Sequence, residues 1–191
     1  MAVMSKEECE LSLLNDPTNE SGGRNQHNMP ISAYNCGGFA LSIYNWVTPY
    51  IVTDNGYVNE EGLYTDDERE ALMRDLYEMD WSDEEIEEEI LSRDVDFLLH
   101  SYPFLEEVNL EDCDENETII AYRLFIRWDE DIGDIEDTDF HFKVRYHGFW
   151  FEKMGSEQIT LCDLDADKPW QYRDDYTIYT SRIVYFTTRR K

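Results

Sequence analysis

Basic residues are scarce in this chain of 191 residues, which has 16 Lys and Arg against 44 Asp and Glu and a formal net charge of −28 at pH 7. A surface with that balance repels a phosphate backbone and lacks most of the cationic contacts that give nucleic-acid affinity. Direct binding of DNA or RNA is therefore not expected. The same charge would suit a basic protein partner, although an acidic surface that is merely solvated is the commoner case.

Long apolar runs are also missing. Nowhere do about 18 consecutive apolar residues occur, as a membrane span requires. The opening segment MAVMSKEECELSLL carries acids and no long apolar stretch, unlike a secretory signal. We therefore expect no membrane association and a cytoplasmic location.

Cysteine is sparse, and its spacing fits neither a zinc site nor a dense disulfide scaffold, because no CxxC pair occurs. We expect reduced thiols at Cys9, Cys36, Cys113 and Cys162. The acids of DEDIGDIEDTD do not match a calcium-binding loop. No metal and no cofactor are predicted.

Aromatic residues are abundant, with 5 Trp, 13 Tyr and 9 Phe, and 41% of the chain is hydrophobic. That content is enough to form a core in one domain of ordinary size. Residues 15–31 are rich in Asn, Gly, Ser and Pro, which favour turns. We therefore predict an N-terminal arm or loop over 1–31 and a single domain over 32–191.

Helical patterns come first along the chain. The dense apolar run GGFALSIYNWV after Cys36 predicts a buried helix. Residues 66–96 keep i, i+4 apolar spacing despite their many acids, which predicts two helices on either side of Asp80. Ser82, followed by three acids, is a good N-cap for the second of them.

Strand patterns follow. ETIIAYRLFIRW, DFHFKVRY and FWFEKMG are rich in β-branched and aromatic residues, and the last two flank a turn at His147 and Gly148. A final strand is predicted within 176–188 from its alternation. The fold class is therefore α+β, with N-terminal helices packed on a C-terminal antiparallel sheet.

One pair of residues could carry chemistry. Cys36 precedes two glycines at the start of the predicted buried helix, where backbone N–H groups would favour the thiolate. The glycines would also let a substrate chain approach the backbone closely. A lone cysteine is more often a small core residue. His141, however, falls on the polar face of a predicted strand, and a general base brought alongside by the fold is what a cysteine nucleophile needs.

The motifs NCGGFAL at 35–41, DFHFKVR at 139–145 and GFWFEKMG at 148–155 resemble the papain-like cysteine peptidases. The likeness is greatest to a bacterial and phage-borne branch near the cell-wall NlpC/P60 hydrolases. It implies a papain-like fold over 32–191, a peptide or protein substrate, and a bacterial or phage-infected host cell. It also implies Cys36 as nucleophile and His141 as general base, with a third residue that orients the imidazole.

Glu152 is assigned to that third role, at a position where the related pattern often has a histidine. With a turn at His147 and Gly148, a residue near position 154 would pair opposite His141 and Glu152 would lie one diagonal step away. A glutamate can accept the imidazole N–H and stabilise its charged form. Asp163 is the alternative.

The oxyanion hole is expected from the backbone N–H of Cys36, with Asn28, Tyr34 or Asn35 as a second donor. Two hypotheses remain open. The first is a cysteine hydrolase that cleaves or transfers acyl groups at peptide or amide bonds. The second is an acidic binding protein, for example one encoded by a phage, that blocks a basic or nucleic-acid-binding partner and uses the fold only as a scaffold.

Overall fold

The computed structural model describes residues 31–43, 45–53, 64–129, 131, 134–165, 168–171 and 178–188. Residues 1–30 of the predicted arm lie outside the described residues, and so do Cys9 and Asn28. Within the described part of the chain, every helix is too short or too polar to cross a bilayer.

Helices precede strands along the chain, as the sequence predicted. The α-helices are α1 (Cys36–Ala40), α2 (Asp66–Glu78) and α3 (Asp83–Ser101), and short 3-10 turns cover Ile31–Ala33 and Leu110–Asp112. The strands are β1 (Leu105–Val108), β2 (Ile119–Asp129), β3 (Asp134–Tyr146), β4 (Phe149–Lys153), β5 (Ile159–Cys162), β6 (Trp170–Gln171), β7 (Ile178–Tyr179) and β8 (Val184–Thr188).

The strands form a six-stranded sheet in the order β1-β8-β2-β3-β4-β5 and a two-stranded sheet of β6 and β7. Every neighbouring pair is antiparallel. The α+β class with an antiparallel sheet is therefore confirmed. Strands β1, β5 and β6 were not predicted; each is short, with at most four residues.

The two predicted helices around Asp80 are confirmed as α2 and α3. Ser82 begins α3 with a capping box, in which its Oγ accepts the Glu85 N–H and the Glu85 carboxylate accepts the Ser82 N–H. Thr65 caps α2 through the Glu68 N–H. These bonds satisfy backbone donors that the first turn of a helix leaves unpaired.

The helix predicted after Cys36 is much shorter than its apolar run suggested, and it ends at Ala40. Ser42 adopts a positive φ of 57°, and Ile43 N–H donates to Gly38 O while Ser42 N–H donates to Phe39 O. This pair of bonds is a Schellman motif, which terminates a helix. Leu41, Ile43 and Val47 therefore follow outside the helix and pack against the main core, whereas Trp46 is exposed.

The hairpin of β3 and β4 turns at His147 and Gly148, as predicted, and both residues have positive φ, 50° and 84°. Positive φ at both central positions defines a type I′ turn, which suits the twist of a hairpin. The strand predicted within 176–188 is instead divided into β7 and β8. Between them, Ser181 Oγ accepts the Leu124 N–H at 3.0 Å, in place of a ladder bond from a continuous strand.

The large sheet buries both of its faces. One face packs against the helices in the main core, which takes Phe140, Phe142 and Val144 from β3. The opposite face lies under β6 and β7, where Trp170 and Tyr179 form a second cluster. The predicted alternation of β3 is therefore confirmed, and His141 on the polar face is itself buried.

Candidate active site

Cys36 is the first residue of α1, and its position is set by Asn35, the N-cap. Asn35 Oδ1 accepts the N–H groups of Gly38 and Val47 at 3.0 and 2.9 Å, and its Nδ2 donates to Val47 O at 2.8 Å. The Asn35 side chain therefore binds the start of α1 to the returning loop. Its Nδ2 carries a second N–H and the residue lines the cavity described below, so Asn35 stays a candidate for the second oxyanion donor that the sequence suggested.

The two glycines after Cys36 are required by packing within the chain. A Cβ on Gly38 would lie 2.1 Å from Asn45 O, and one on Gly37 would lie 2.8 Å from Val47 O. Both distances are shorter than atoms tolerate. The sequence predicted that these glycines let a substrate approach the backbone, but it is the loop after α1 that approaches them.

His141 lies in β3 where that strand loses its neighbour. β4 pairs with β3 only from Lys143 to Tyr146, so within the described residues no strand covers that edge of β3 at His141. Helix α1 packs against both β3 and β4 at this place. The end of β4 therefore leaves room for Cys36 to reach the imidazole.

Cys36, His141 and Glu152 are brought together. Cys36 and His141 line the same cavity, and the Cys36 side chain is close enough to His141 to help raise the pKa of the imidazole. His141 Nε2 is 3.4 Å from Glu152 Oε2, a close ionic contact whose direction does not meet hydrogen-bond geometry. Glu152 pairs opposite Lys143, one diagonal step from His141, which is the register predicted from the turn.

The contacts favour a charged imidazole. Burial lowers the pKa of His141, but its contacts with Cys36 and Glu152, and the negative charges of both, outweigh burial and raise the pKa to about 9. Burial raises the pKa of Glu152, whereas contact with His141 and the charge of Lys143 hold it below its usual range. The two shifts agree on an imidazolium beside a carboxylate.

Glu152 is held in place by Lys143, whose Nζ lies 3.2 Å from Oε2. The same ammonium lies 4.9 Å from the centre of the Trp170 ring. Asp163, the alternative third residue, is exposed, and only its backbone carbonyl reaches Lys143, at 3.5 Å. Of the two candidates, the structure brings Glu152 and not Asp163 to His141.

A second lysine lies close to the thiol. Lys153 is fully buried, donates to Gly155 O and faces the Tyr34 ring at 4.9 Å. Burial lowers its pKa to about 8, although the negative charge of Cys36 acts in the opposite direction. The sequence did not single out Lys153, because in a strand pattern it reads as an ordinary polar position.

Cys36 and His141 open onto a cavity of about 450 Å³. Its other walls come from the N-cap of α1, from the loop after α1, from β3, from the segment after β4 and from β7, through Asn35, Trp46, Thr48, Tyr50, Val52, Asp139, Phe140, Met154, Gly155 and Tyr179. A volume of this size accommodates a side chain or a small ligand. Sequence reasoning missed most of these residues, since they come from five separate segments.

Trp150 and Trp170 do not line this cavity. Trp170 is buried in the second cluster, with its ring 6.1 Å from the His141 ring in an edge-on contact, and Trp150 packs against the same cluster. Both therefore support the sheet. Trp46, which is 55% exposed, is the tryptophan at the cavity.

Comparison with protein-family models, with curated proteins and with solved structures finds no match to this chain. Among the described residues, no group of three or more His, Cys, Asp or Glu side chains is placed to hold a metal ion.

Proposed function

We propose that this protein is a papain-like cysteine hydrolase acting on peptide or amide bonds. The observation that carries the proposal is the position of His141, beside Cys36 at a cavity and 3.4 Å from the Glu152 carboxylate. A nucleophile, a base and a group that orients the base, in contact in that order, are the components of acyl-transfer catalysis.

In the proposed mechanism the Cys36 proton resides on His141, and the thiolate attacks the substrate carbonyl. A tetrahedral oxyanion forms and then collapses as the imidazolium gives its proton to the leaving amine, which leaves a thioester on Cys36. Water, deprotonated by His141, then hydrolyses the thioester and restores the thiol. An amine in place of water would make the same site an acyltransferase.

The ion pair between the Cys36 thiolate and the His141 imidazolium must be stabilised mainly by neighbouring side chains. Helix α1 has five residues, so it contributes less field at Cys36 than the longer predicted helix would. Glu152 favours the imidazolium, and the imidazolium favours the thiolate. As the first residue of α1, Cys36 also has a backbone N–H with no acceptor inside the helix, which is a suitable oxyanion donor.

The test is alkylation of the folded protein by iodoacetamide at a pH of about 6, with peptide mass mapping of the labelled thiol. We expect Cys36 to be labelled first, and we expect His141→Gln to slow its labelling by about 10²-fold or more. Digestion of a peptide library by the native protein, with Cys36→Ala as control, then supplies the turnover assay. Unchanged labelling in His141→Gln contradicts the proposal.

A second candidate function is supported by the surface where α2 meets α3. Met79 and Trp81 are 67% and 40% exposed, and Trp81 shares a shallow groove with Glu85, Glu88 and Glu89. As the alternative function, we propose that this acidic surface docks a basic protein partner. Such docking does not require Cys36.

This alternative predicts binding of basic proteins that weakens steeply with salt, is lost in Trp81→Ala and is unchanged in Cys36→Ala. Wild-type and variant proteins are immobilised, and the basic proteins bound to them are eluted in a salt gradient. The salt concentration of elution measures all three effects. Binding that is insensitive to salt, or equal in Trp81→Ala, excludes this surface as the docking site.

A further inference from the structure

Asp139 places a carboxylate at the wall of the cavity beside Cys36 without a cation to match it. Its Oδ2 accepts the Tyr179 hydroxyl at 2.7 Å and its Oδ1 accepts the Phe140 N–H at 2.8 Å. Both donors are neutral. Within the described part of the chain, no Lys, Arg or His forms an ion pair with Asp139.

The cations near this wall make their contacts with other groups. Arg69 lies 5.2 Å from the centre of the Tyr50 ring, but its guanidinium binds Asp94 through two bonds of 3.0 and 3.1 Å. His141 and Lys143 both lie against Glu152. Lys153 donates to Gly155 O. Among the described residues, Asp139 therefore keeps its negative charge at the wall of the cavity without an ion-pair partner of its own.

Aromatic rings surround this charge. Tyr50, Phe140 and Tyr179 line the cavity together with the exposed Trp46. Burial raises the pKa of Tyr50 to about 12, so its hydroxyl stays neutral at physiological pH. Aromatic faces beside a carboxylate are the surroundings in which ammonium and guanidinium groups bind, because the rings attract a cation that is partly desolvated.

We propose that this cavity binds the cationic side chain of the substrate, an ammonium or guanidinium group, next to the bond that Cys36 attacks. The specificity rests on the proposed hydrolase function, and Asp139 is its determinant. The chain's net charge of −28 acts in the same direction, since it draws basic peptides towards the surface. An anionic side chain would meet Asp139 without compensation and would be excluded.

The probes are three methanethiosulfonates that carry a trimethylammonioethyl, a sulfonatoethyl or a methyl group. In each case the thiolate attacks the sulfenyl sulfur, a mixed disulfide forms and methanesulfinate leaves. The quantity measured is the ratio of the cationic to the anionic rate constant at Cys36, with the ratio at Cys113, which lies between Asp112 and Asp114, as baseline for a thiol among acidic residues. We expect the Cys36 ratio to exceed the Cys113 ratio by about tenfold or more.

Asp139→Asn should bring the Cys36 ratio down to the Cys113 baseline, because it removes the charge and keeps an oxygen that can accept the Tyr179 hydroxyl. The matched control is Asp137→Asn, which removes a charge from an exposed residue of the same strand outside the cavity and should leave the Cys36 ratio unchanged. Equal ratios at Cys36 and Cys113 in the wild type, or an unchanged ratio in Asp139→Asn, overturn the specificity.

Two further measurements separate failure of the cation site from failure of the hydrolase proposal and from misfolding of the variant. If the neutral methyl reagent reacts no faster at Cys36 than at Cys113, the hydrolase proposal itself fails, whatever the ratios are. If Asp139→Asn does not fold, protection of wild-type Cys36 from the methyl reagent decides: N-acetyl-lysine amide should protect it, and N-acetyl-norleucine amide should not. Equal protection by the two amides overturns the assignment of a cation site.

Discussion

Glu152→Gln is the sharpest perturbation of the site, because it removes one charge and keeps nearly the same shape. In the native protein Glu152 Oε2 lies 3.4 Å from His141 Nε2 and 3.2 Å from Lys143 Nζ. Once the charge is gone, the imidazolium loses its carboxylate and keeps Lys143 as an unbalanced positive neighbour. Both changes lower the pKa of His141 from its raised value of about 9.

The size of the effect follows from the separation of the charges. Two unit charges about 4 Å apart interact by about 4 kcal/mol at an effective dielectric constant of about 20. The Glu152 side chain is 17% exposed and also interacts with Lys143, so the energy that stabilises the imidazolium is smaller than this value. A loss of about 1.4 to 4 kcal/mol corresponds to about 10- to 10³-fold in rate.

The assay is the pH profile of Cys36 alkylation, together with turnover of a cleaved peptide. Labelling of Glu152→Gln near pH 6 should be slower, because fewer molecules hold the thiolate and imidazolium together. The alkaline limb of kcat/KM, where the imidazolium loses its proton, should move to lower pH. The matched control, Asp163→Asn, removes an exposed charge and should change neither the labelling rate of Cys36 nor the alkaline limb of kcat/KM. Loss of activity in Asp163→Asn with full activity in Glu152→Gln would refute this reasoning.

Three other predictions concern the thiols, the pH dependence of folding and the buried ion pair. Near pH 6, Cys36 should be alkylated much faster than Cys162, because burial raises the pKa of Cys162 to about 12; equal rates contradict the ion pair. His141 has a folded pKa of about 9 against 6.5 unperturbed, so its contribution to stability should be complete below about pH 6.5 and lost as the pH rises through about 9, which urea titrations at several pH values measure. Arg69→Met should destabilise the fold by about 3 to 5 kcal/mol, because it leaves the fully buried Asp94 without a cation; thermal unfolding close to that of the wild type would count against this role.

The sequence by itself determined those features that depend on neighbours along the chain. The capping residues and i, i+4 spacing placed α2 and α3, since helix termini and helix faces are local properties. In the hairpin, a two-residue turn at His147 and Gly148 fixes the register, and the register places Glu152 diagonally from His141. That part of the site was therefore predictable without any tertiary information.

Other features were decided only by tertiary packing. The apolar run after Cys36 indicated a long helix, but the loop that returns over Gly37 and Gly38 ends α1 after five residues. Composition carries no information on such a contact, because both the helix and the packed loop bury the same apolar side chains. The sequence indicated that Gly37 and Gly38 permit a close approach to the backbone, but it did not indicate that the loop after α1 is what approaches them.

The cavity is the clearest case of a feature that sequence alone does not encode in readable form. The cavity combines Tyr50, Asp139 and Tyr179, of which the nearest two are 40 residues apart in the sequence. No local pattern links them. They meet where β4 stops short of the position opposite His141 and leaves the edge of β3 open to α1 and its loop, while β7 packs over the face of β2 and β3. Where a strand loses its neighbour is set by the competition among all the strands for the sheet, and this competition is settled only when the whole chain packs.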